Sequence, residues 1–193
     1  MMSMVEVFEI LAVLLAIAYL LLAIRQDPLC WLAAALSTLI YLVLMYRVEL
    51  YMQTLLQLFY LYMAAYGYWS WRHGGEEHAS GELSVRQWNI RQHFLSVASI
   101  LFLTGIIGYL MTEHTGANQA YLDTFISLSA MLTTWMVTQK ILDNWLYWIV
   151  IDSLSVWLYL EADLYFTAGL YVFYTLMCIF GYREWKKTLI EQT

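Results

Sequence analysis

Charge is scarce in this chain of 193 residues: 12% are Asp, Glu, Lys or Arg, against about 25% in soluble domains. Nine Lys and Arg cannot solvate the surface of a 22.6 kDa globule, and they are too few for a nucleic-acid footprint. Proline occurs once and glycine nine times, which excludes disordered, collagen-like and solenoid classes. Cysteine occurs twice; Cys30 and Cys178 fall in or beside apolar segments and read as small buried hydrophobes. No disulfide follows from them. What the chain does have is apolar surface, with 62% of residues in the AVILMFWYC set and a mean hydropathy of +0.62. That combination describes an integral membrane protein.

Apolar runs separated by polar clusters fall at 7–24, 29–46, 51–71, 94–112, 121–138, 142–160 and 163–184. A membrane-crossing helix needs about 20 residues, so the sequence predicts seven transmembrane helices and an all-α fold. The alternating pattern of a membrane β-barrel is absent. Glu6 and Glu9 rather than basic residues stand at the start of the first run, which is not the pattern of a cleavable signal. With the N-terminus outside, Arg25, Arg72, Arg86, Arg91, Lys140, Arg183, Lys186 and Lys187 are cytoplasmic and Arg47 alone is external. The outer loops then hold Glu49 and Asp163. The positive-inside rule therefore predicts an N-out, C-in protein. The polar segment 72–93 holds His73, Glu76, Glu77, His78 and His93, but no recognised ligand spacing. It reads as a solvated inner loop, and no metal or cofactor is expected.

The chain resembles itself at the separation of Trp31 from Trp145. In that one register Phe59 meets Phe173, Tyr60 meets Tyr174, Gly67 meets Gly181, Tyr68 meets Tyr182 and Trp71 meets Trp185. The same register lays Glu49-Leu50-Tyr51 over Asp163-Leu164-Tyr165. Apolar composition produces chance Leu matches, but not aligned aromatics, glycines and an acidic triplet. Runs two and three thus repeat as runs six and seven, and run one lies over run five. The expected organisation is 3+1+3: a three-helix bundle over 1–72, an inner loop and linker helix over 73–120, and a second bundle over 121–193. Both bundles start on the same side, so they are parallel repeats, an arrangement that puts a binding site at the interface of the halves.

Along the third run, Gln53, Gln57, Tyr60, Ala64, Gly67 and Trp71 recur at spacings of three and four and share a face; the repeat supplies Thr167, Tyr171, Tyr174, Cys178, Gly181 and Trp185. The glycines read as packing positions and the two tryptophans as packing or interface anchors. In the sixth run Asn144, Trp148, Asp152 and Ser155 share a broad face. A carboxyl at the middle of a span costs several kcal/mol unless paired, hydrogen-bonded or hydrated. Arg183, at the very end of the seventh run, is the one Lys or Arg inside a span, so none stands at mid-span to pair with Asp152. A cationic ligand or neutralisation within the bundle are the two solutions. Trp and Tyr faces attract such a ligand by cation–π contact, and the amides of Gln57 and Asn144 read hydroxyl or amide groups.

The segments LLQLFYLYMAAYGYWSW (55–71) and QKILDNWLYWIVIDSLSVWLYL (139–160) resemble the PnuC family of bacterial vitamin-precursor transporters, over nearly the whole chain. The resemblance implies an arrangement similar to SWEET proteins, a homotrimer, and facilitated diffusion of nicotinamide riboside or, in a related branch, thiamine, drawn onward by intracellular phosphorylation. It implies a substrate site at Gln57, Asn144, Trp145 and Trp148, with Tyr60, Tyr171 and Tyr174 as wall residues; Asp152 joins them as the candidate counter-ion. Tyr66-Gly67-Tyr68 replaces the family's frequent Tyr-Gly-Trp, and Asp152 stands where Asn often occurs, which leaves the two vitamins undivided. The alternative is proton-coupled transport of the same substrates with Asp152 titrating. Motifs of hydrolases, metalloproteases and nucleotide-binding loops are absent, so the chain is not expected to be an enzyme.

Overall fold

A computed structural model of the chain describes residues 4–47, 51–74, 83–115, 119–161 and 165–192. Leu50, Leu164, Glu49, Asp163, Glu76, Glu77 and His78 lie outside the described residues, as do the side chains of Gln53 and Thr167. Seven helices occupy the described chain: α1 (Met4–Ile24), α2 (Cys30–Arg47), α3 (Tyr51–His73), α4 (Ile90–Thr115), α5 (Ala120–Thr138), α6 (Asn144–Glu161) and α7 (Tyr165–Glu191). Each expected run is a helix, and two ends differ by more than three residues. The fourth helix starts at Ile90 because Asn89 and Gln92 form a reciprocal cap. Asn89 Oδ1 accepts the Gln92 N–H at 3.0 Å and Gln92 Oε1 accepts the Asn89 N–H at 2.9 Å, the arrangement of a capping box. The seventh continues to Glu191 through a charged end where Lys187 Nζ meets Glu184 Oε1 at 2.6 Å; an apolar run-length rule stops before such a turn.

Among the described residues one helical stretch, Ile90–His114, has both the length and the hydropathy to cross a membrane, and Ile10–Ile24 and Cys30–Leu44 are shorter apolar stretches. Helices α3, α6 and α7 carry many Tyr and Trp, whose hydroxyl and indole N–H lower their hydropathy without making them water-seeking. Large apolar side chains stand exposed on the helices, among them Leu14, Leu32, Tyr62, Phe94, Phe102, Trp157 and Leu176. The interior is instead rich in small and hydroxyl residues, including Ala12, Ser37, Ala64, Thr104, Ala130, Thr133, Thr138 and Ser155. Many of those hydroxyls bond the carbonyl one turn back: Thr133 to Ser129 at 2.7 Å, Thr134 to Ala130 at 2.8 Å, Ser155 to Ile151 at 2.9 Å. They are satisfied within their own helix.

The chain forms two compact units. The first comprises Met1–Val85, Val137–Lys140 and Glu184–Thr193. In it α2 packs against α1 and α3, and Ser37 Oγ donates to the Ala12 carbonyl at 2.8 Å. A Cβ on Gly67 would overlap the Trp31 ring, so only glycine permits that approach. Helix α1 ends on Gln26 in the left-handed region, φ 57°, with Gln26 N–H on Ala23 O and Asp27 N–H on Leu22 O, each 3.0 Å. This is a Schellman ending. Asp27 then turns to cap α2, its Oδ1 accepting the Leu29 N–H at 2.9 Å. Trp71 and Trp185, 1% and 0% exposed, touch ring to ring at 5.9 Å. Trp71 Nε1 donates to Val137 O and Trp185 Nε1 to Ala23 O, both at 3.0 Å. They are buried clasps rather than interface anchors, because the indole N–H finds a helix-end carbonyl instead of a lipid headgroup.

The second unit comprises Arg86–Met136 and Ile141–Arg183, hence α4, α6 and most of α5 and α7. A Cβ on Gly181 would come 2.6 Å from the Trp145 ring, and one on Gly108 2.6 Å from Tyr121.

Candidate functional site

Helix α5 ends like α1, on a left-handed non-glycine residue: Lys140 has φ 47°, its N–H meets Val137 O at 3.0 Å, and Ile141 N–H meets Met136 O at 3.0 Å. Each of these residues is the repeat partner of one in the α1 ending. Lys140 is buried and its Nζ stands 4.9 Å above the Trp71 ring, a cation–π contact near the α5 carbonyl end, where the helix dipole also favours a cation. The positive-inside rule expects Lys140 on the cytoplasmic side and says nothing of its burial.

The turn delivers Asn144 at the start of α6, fully buried at 0% exposure. Its Nδ2 donates to the Ile141 carbonyl at 2.7 Å, while Oδ1 has no partner among the described residues. Trp145 packs behind it on Gly181. Two turns into α6, Asp152 is 4% exposed and accepts the Cys178 thiol of α7, Sγ to Oδ2 3.7 Å. Ser155, also buried, spends its hydroxyl on Ile151 O. Trp148 is half-buried on the same helix. On α7 the half-buried Tyr171 and Tyr174 meet edge to face at 5.9 Å.

Six of the eight expected site residues, Asn144, Trp145, Trp148, Asp152, Tyr171 and Tyr174, therefore belong to the second unit, and Gln57 and Tyr60, half-buried on α3, to the first. Tyr60 rests against Phe59, with ring centroids 5.7 Å apart. Cys30 and Cys178 are both buried and free, and Cys178 serves as a donor, which its reading as a plain hydrophobe did not include.

The segment before α4 departs from a solvated loop. Val85 is buried, Arg86 pairs with Ile141 in an isolated bridge, and the Leu142 N–H donates to Arg86 O at 2.8 Å. Asp143, absent from the sequence-derived candidates, is 2% exposed and accepts the Trp88 N–H at 2.8 Å and Gln87 Nε2 at 3.4 Å. Its position directly before Asn144-Trp145 was the signal for it. His93, half-buried, has Nε2 3.7 Å from Asp143 and Nδ1 3.0 Å from the Tyr147 hydroxyl, and its ring stacks on Tyr147. His73 is exposed. No group of three or more His, Cys, Asp or Glu gathers as a metal site among the described residues. An apolar groove of about 340 Å³ between α4 and α5, lined by Leu95, Ser96, Ser99, Ile100, Leu103, Leu128 and Leu132, holds none of the expected site residues.

Comparison with known proteins matches residues 6–187 to the family described as nicotinamide mononucleotide transporter. The riboflavin/roseoflavin transporter RibM of Streptomyces davaonensis is 22% identical over 124 residues, 64% of this chain and 58% of that protein. The nicotinamide riboside transporter PnuC of Escherichia coli is 22% identical over 175 residues, 78% of this chain and 72% of that one. Its counterpart in Haemophilus influenzae is 24% identical over 133 residues, 66% of this chain and 55% of that one. The chain thus spans less than two thirds of the riboflavin and Haemophilus relatives. A crystal structure of the vitamin B3 transporter PnuC superimposes with a TM-score of 0.74 at 20% identity, covering 96% of this chain and 83% of that one. That likeness establishes the seven-helix fold.

Proposed function

This chain belongs to the nicotinamide mononucleotide transporter family, a family of transporters rather than enzymes, and from that premise we propose that it carries a cationic heteroaromatic vitamin across the bacterial inner membrane by facilitated diffusion. Nicotinamide riboside is the first candidate, because PnuC relatives of that name align over most of the chain, and thiamine is the second. The single observation that carries the reading is Asp152. It is a carboxyl 4% exposed whose protein donor is a weak thiol, about two turns along the same helix from an amide oxygen that has no partner among the described residues. A pyridinium or thiazolium ring would compensate the acid, and its hydroxyl or amine groups would meet Asn144. Trp145 and Trp148 supply aromatic faces, and Gln57, Tyr60, Tyr171 and Tyr174 complete the proposed substrate-binding set.

We place the helices in the bilayer with the N-terminus outside and the C-terminus in the cytoplasm. The outward apolar side chains and the hydroxyl-lined interior support insertion, and the basic residues support the orientation. The repeated helix endings at Gln26 and Lys140 and the repeated Trp–Gly contacts support a 3+1+3 organisation, with bundles over 1–72 and 121–193 and a linker over 73–120, whose rocking exposes the vitamin alternately to each side. A homotrimer is proposed on the family resemblance. Binding titrations with purified protein against nicotinamide riboside, thiamine, riboflavin and a neutral sugar test the substrate class. Saturable binding of a cationic ring is expected. Binding of riboflavin alone overturns the role given to Asp152.

A further inference from the structure

Asp143 stands next to Asn144 yet points into a different set of contacts. Its two oxygens receive the Trp88 N–H at 2.8 Å and the Gln87 amide at 3.4 Å, and His93 Nε2 lies 3.7 Å away. The Trp88 ring closes the same corner, meeting His93 at 5.6 Å and Tyr147 at 6.4 Å. One buried carboxylate thus fastens the segment ahead of α4 onto the first turn of α6, beside the Arg86 carbonyl that receives the Leu142 N–H. A carboxylate that accepts several donors is held far more firmly than a single neutral bond would hold it.

The fastening fixes residues 141–144, and with them the amide of Asn144. The Ile141 carbonyl is an acceptor, so only the NH2 side of that amide can face it at 2.7 Å; the oxygen must point the other way. There it has no partner among the described residues, and an unmet buried acceptor costs about 1–3 kcal/mol. We infer that Asp143 is a positioning residue: by tying the segment 86–93 to α6 it holds Asn144 as a one-way acceptor, so that the site selects ligands able to donate an O–H or N–H at that point. The inference rests on the proposed reading in which Asn144 touches the vitamin.

A double-mutant cycle tests it, with binding of nicotinamide riboside and, in parallel, thiamine measured for wild type, Asp143→Ala, Asn144→Ala and the double variant. Asp143→Ala is expected to weaken binding about tenfold, equivalent to ~1.4 kcal/mol, in the wild-type background. In the Asn144→Ala background it should change binding by less than about twofold, because nothing is left for it to orient. Asp143→Asn keeps an oxygen for the Trp88 N–H but loses the charge that strengthens its bonds, so it should retain the fold and weaken binding about threefold in the wild-type background; with Gln87→Ala it gives folded intermediates if Asp143→Ala does not accumulate. Those two variants are then run through the same cycle. Equal losses in both backgrounds would mean a general structural role and overturn the inference, as would no loss in either. If Asn144→Ala alone leaves binding intact, the contact between Asn144 and the vitamin is wrong, and the inference falls with it.

Discussion

At the residue scale the proposed chemistry rests on a single carboxyl. Asp152 lies on α6 with Cys178 as its protein donor, and a thiol is a weak one. Replacing Asp152 with Asn keeps the shape and removes the charge. Hydrogen bonds to charged groups are worth about 1.5–3 kcal/mol, and about 1.4 kcal/mol is tenfold in affinity. Asp152→Asn is therefore expected to weaken binding of nicotinamide riboside about tenfold or more, and of its neutral dihydro form by much less, in parallel calorimetric titrations. Equal losses would make Asp152 a structural group. Glycine gives a second test at this scale. A methyl on Gly181 would reach within 2.6 Å of the Trp145 ring, whereas nothing lies within 4 Å of one on Gly169. Gly181→Ala should destabilise the protein by ~1–3 kcal/mol through overpacking and shift Trp145 enough to weaken the vitamin. Gly169→Ala should leave thermal stability in detergent unchanged or slightly raised, since alanine favours a helix interior over glycine. The sequence marked Asp152 because a charge in an apolar run is conspicuous. Asp143 and Lys140 escaped because each sits at a helix end, where a charge is ordinary, and only the folded chain shows that these ends are buried.

Elements were legible to within about a turn everywhere but at the end of α7, and the reason is length. An apolar run of about 20 residues has few alternatives to a helix, so seven runs became seven helices. Boundaries set by polar chemistry were less visible. The Asn89–Gln92 cap is written in the sequence as Asn-x-x-Gln, yet its Asn stands five residues ahead of the apolar run. The two left-handed helix endings carry Gln26 and Lys140 where glycine is the common choice, so no glycine signal announced them. What the sequence did carry was their equivalence. The clasp between Trp71 and Val137 has its repeat counterpart in the clasp between Trp185 and Ala23, and each carbonyl also receives a backbone N–H, from Lys140 and Gln26. Removing one indole N–H therefore leaves neither carbonyl bare, and the loss stays near the net value of a hydrogen bond, ~0.5–1.5 kcal/mol. Trp185→Phe should cost about that much in thermal or denaturant unfolding. Trp71→Phe should cost more, because the ring under the Lys140 ammonium becomes a poorer cation–π partner. Lys140→Met should bring the two variants level; an unchanged gap would remove the ammonium from the account.

At the scale of the whole molecule, composition and the internal repeat agree: a chain with few charges, apolar outside and hydroxyl-rich inside, in which the same helix ending and the same Trp–Gly contact occur twice. Fold class was readable because it depends on averages over many residues. The candidate site was less legible, since affinity for a ligand depends on which way a few side chains point; the direction of the buried Asn144 oxygen follows from one 2.7 Å bond, which no spacing rule encodes. The central claim is that the molecule equilibrates a cationic vitamin without an external energy source. Purified protein in liposomes should speed entry of labelled nicotinamide riboside or thiamine with no proton or sodium gradient imposed, the internal concentration levelling at the external one. Uptake that follows an imposed pH gradient, or no acceleration for either vitamin, would contradict it.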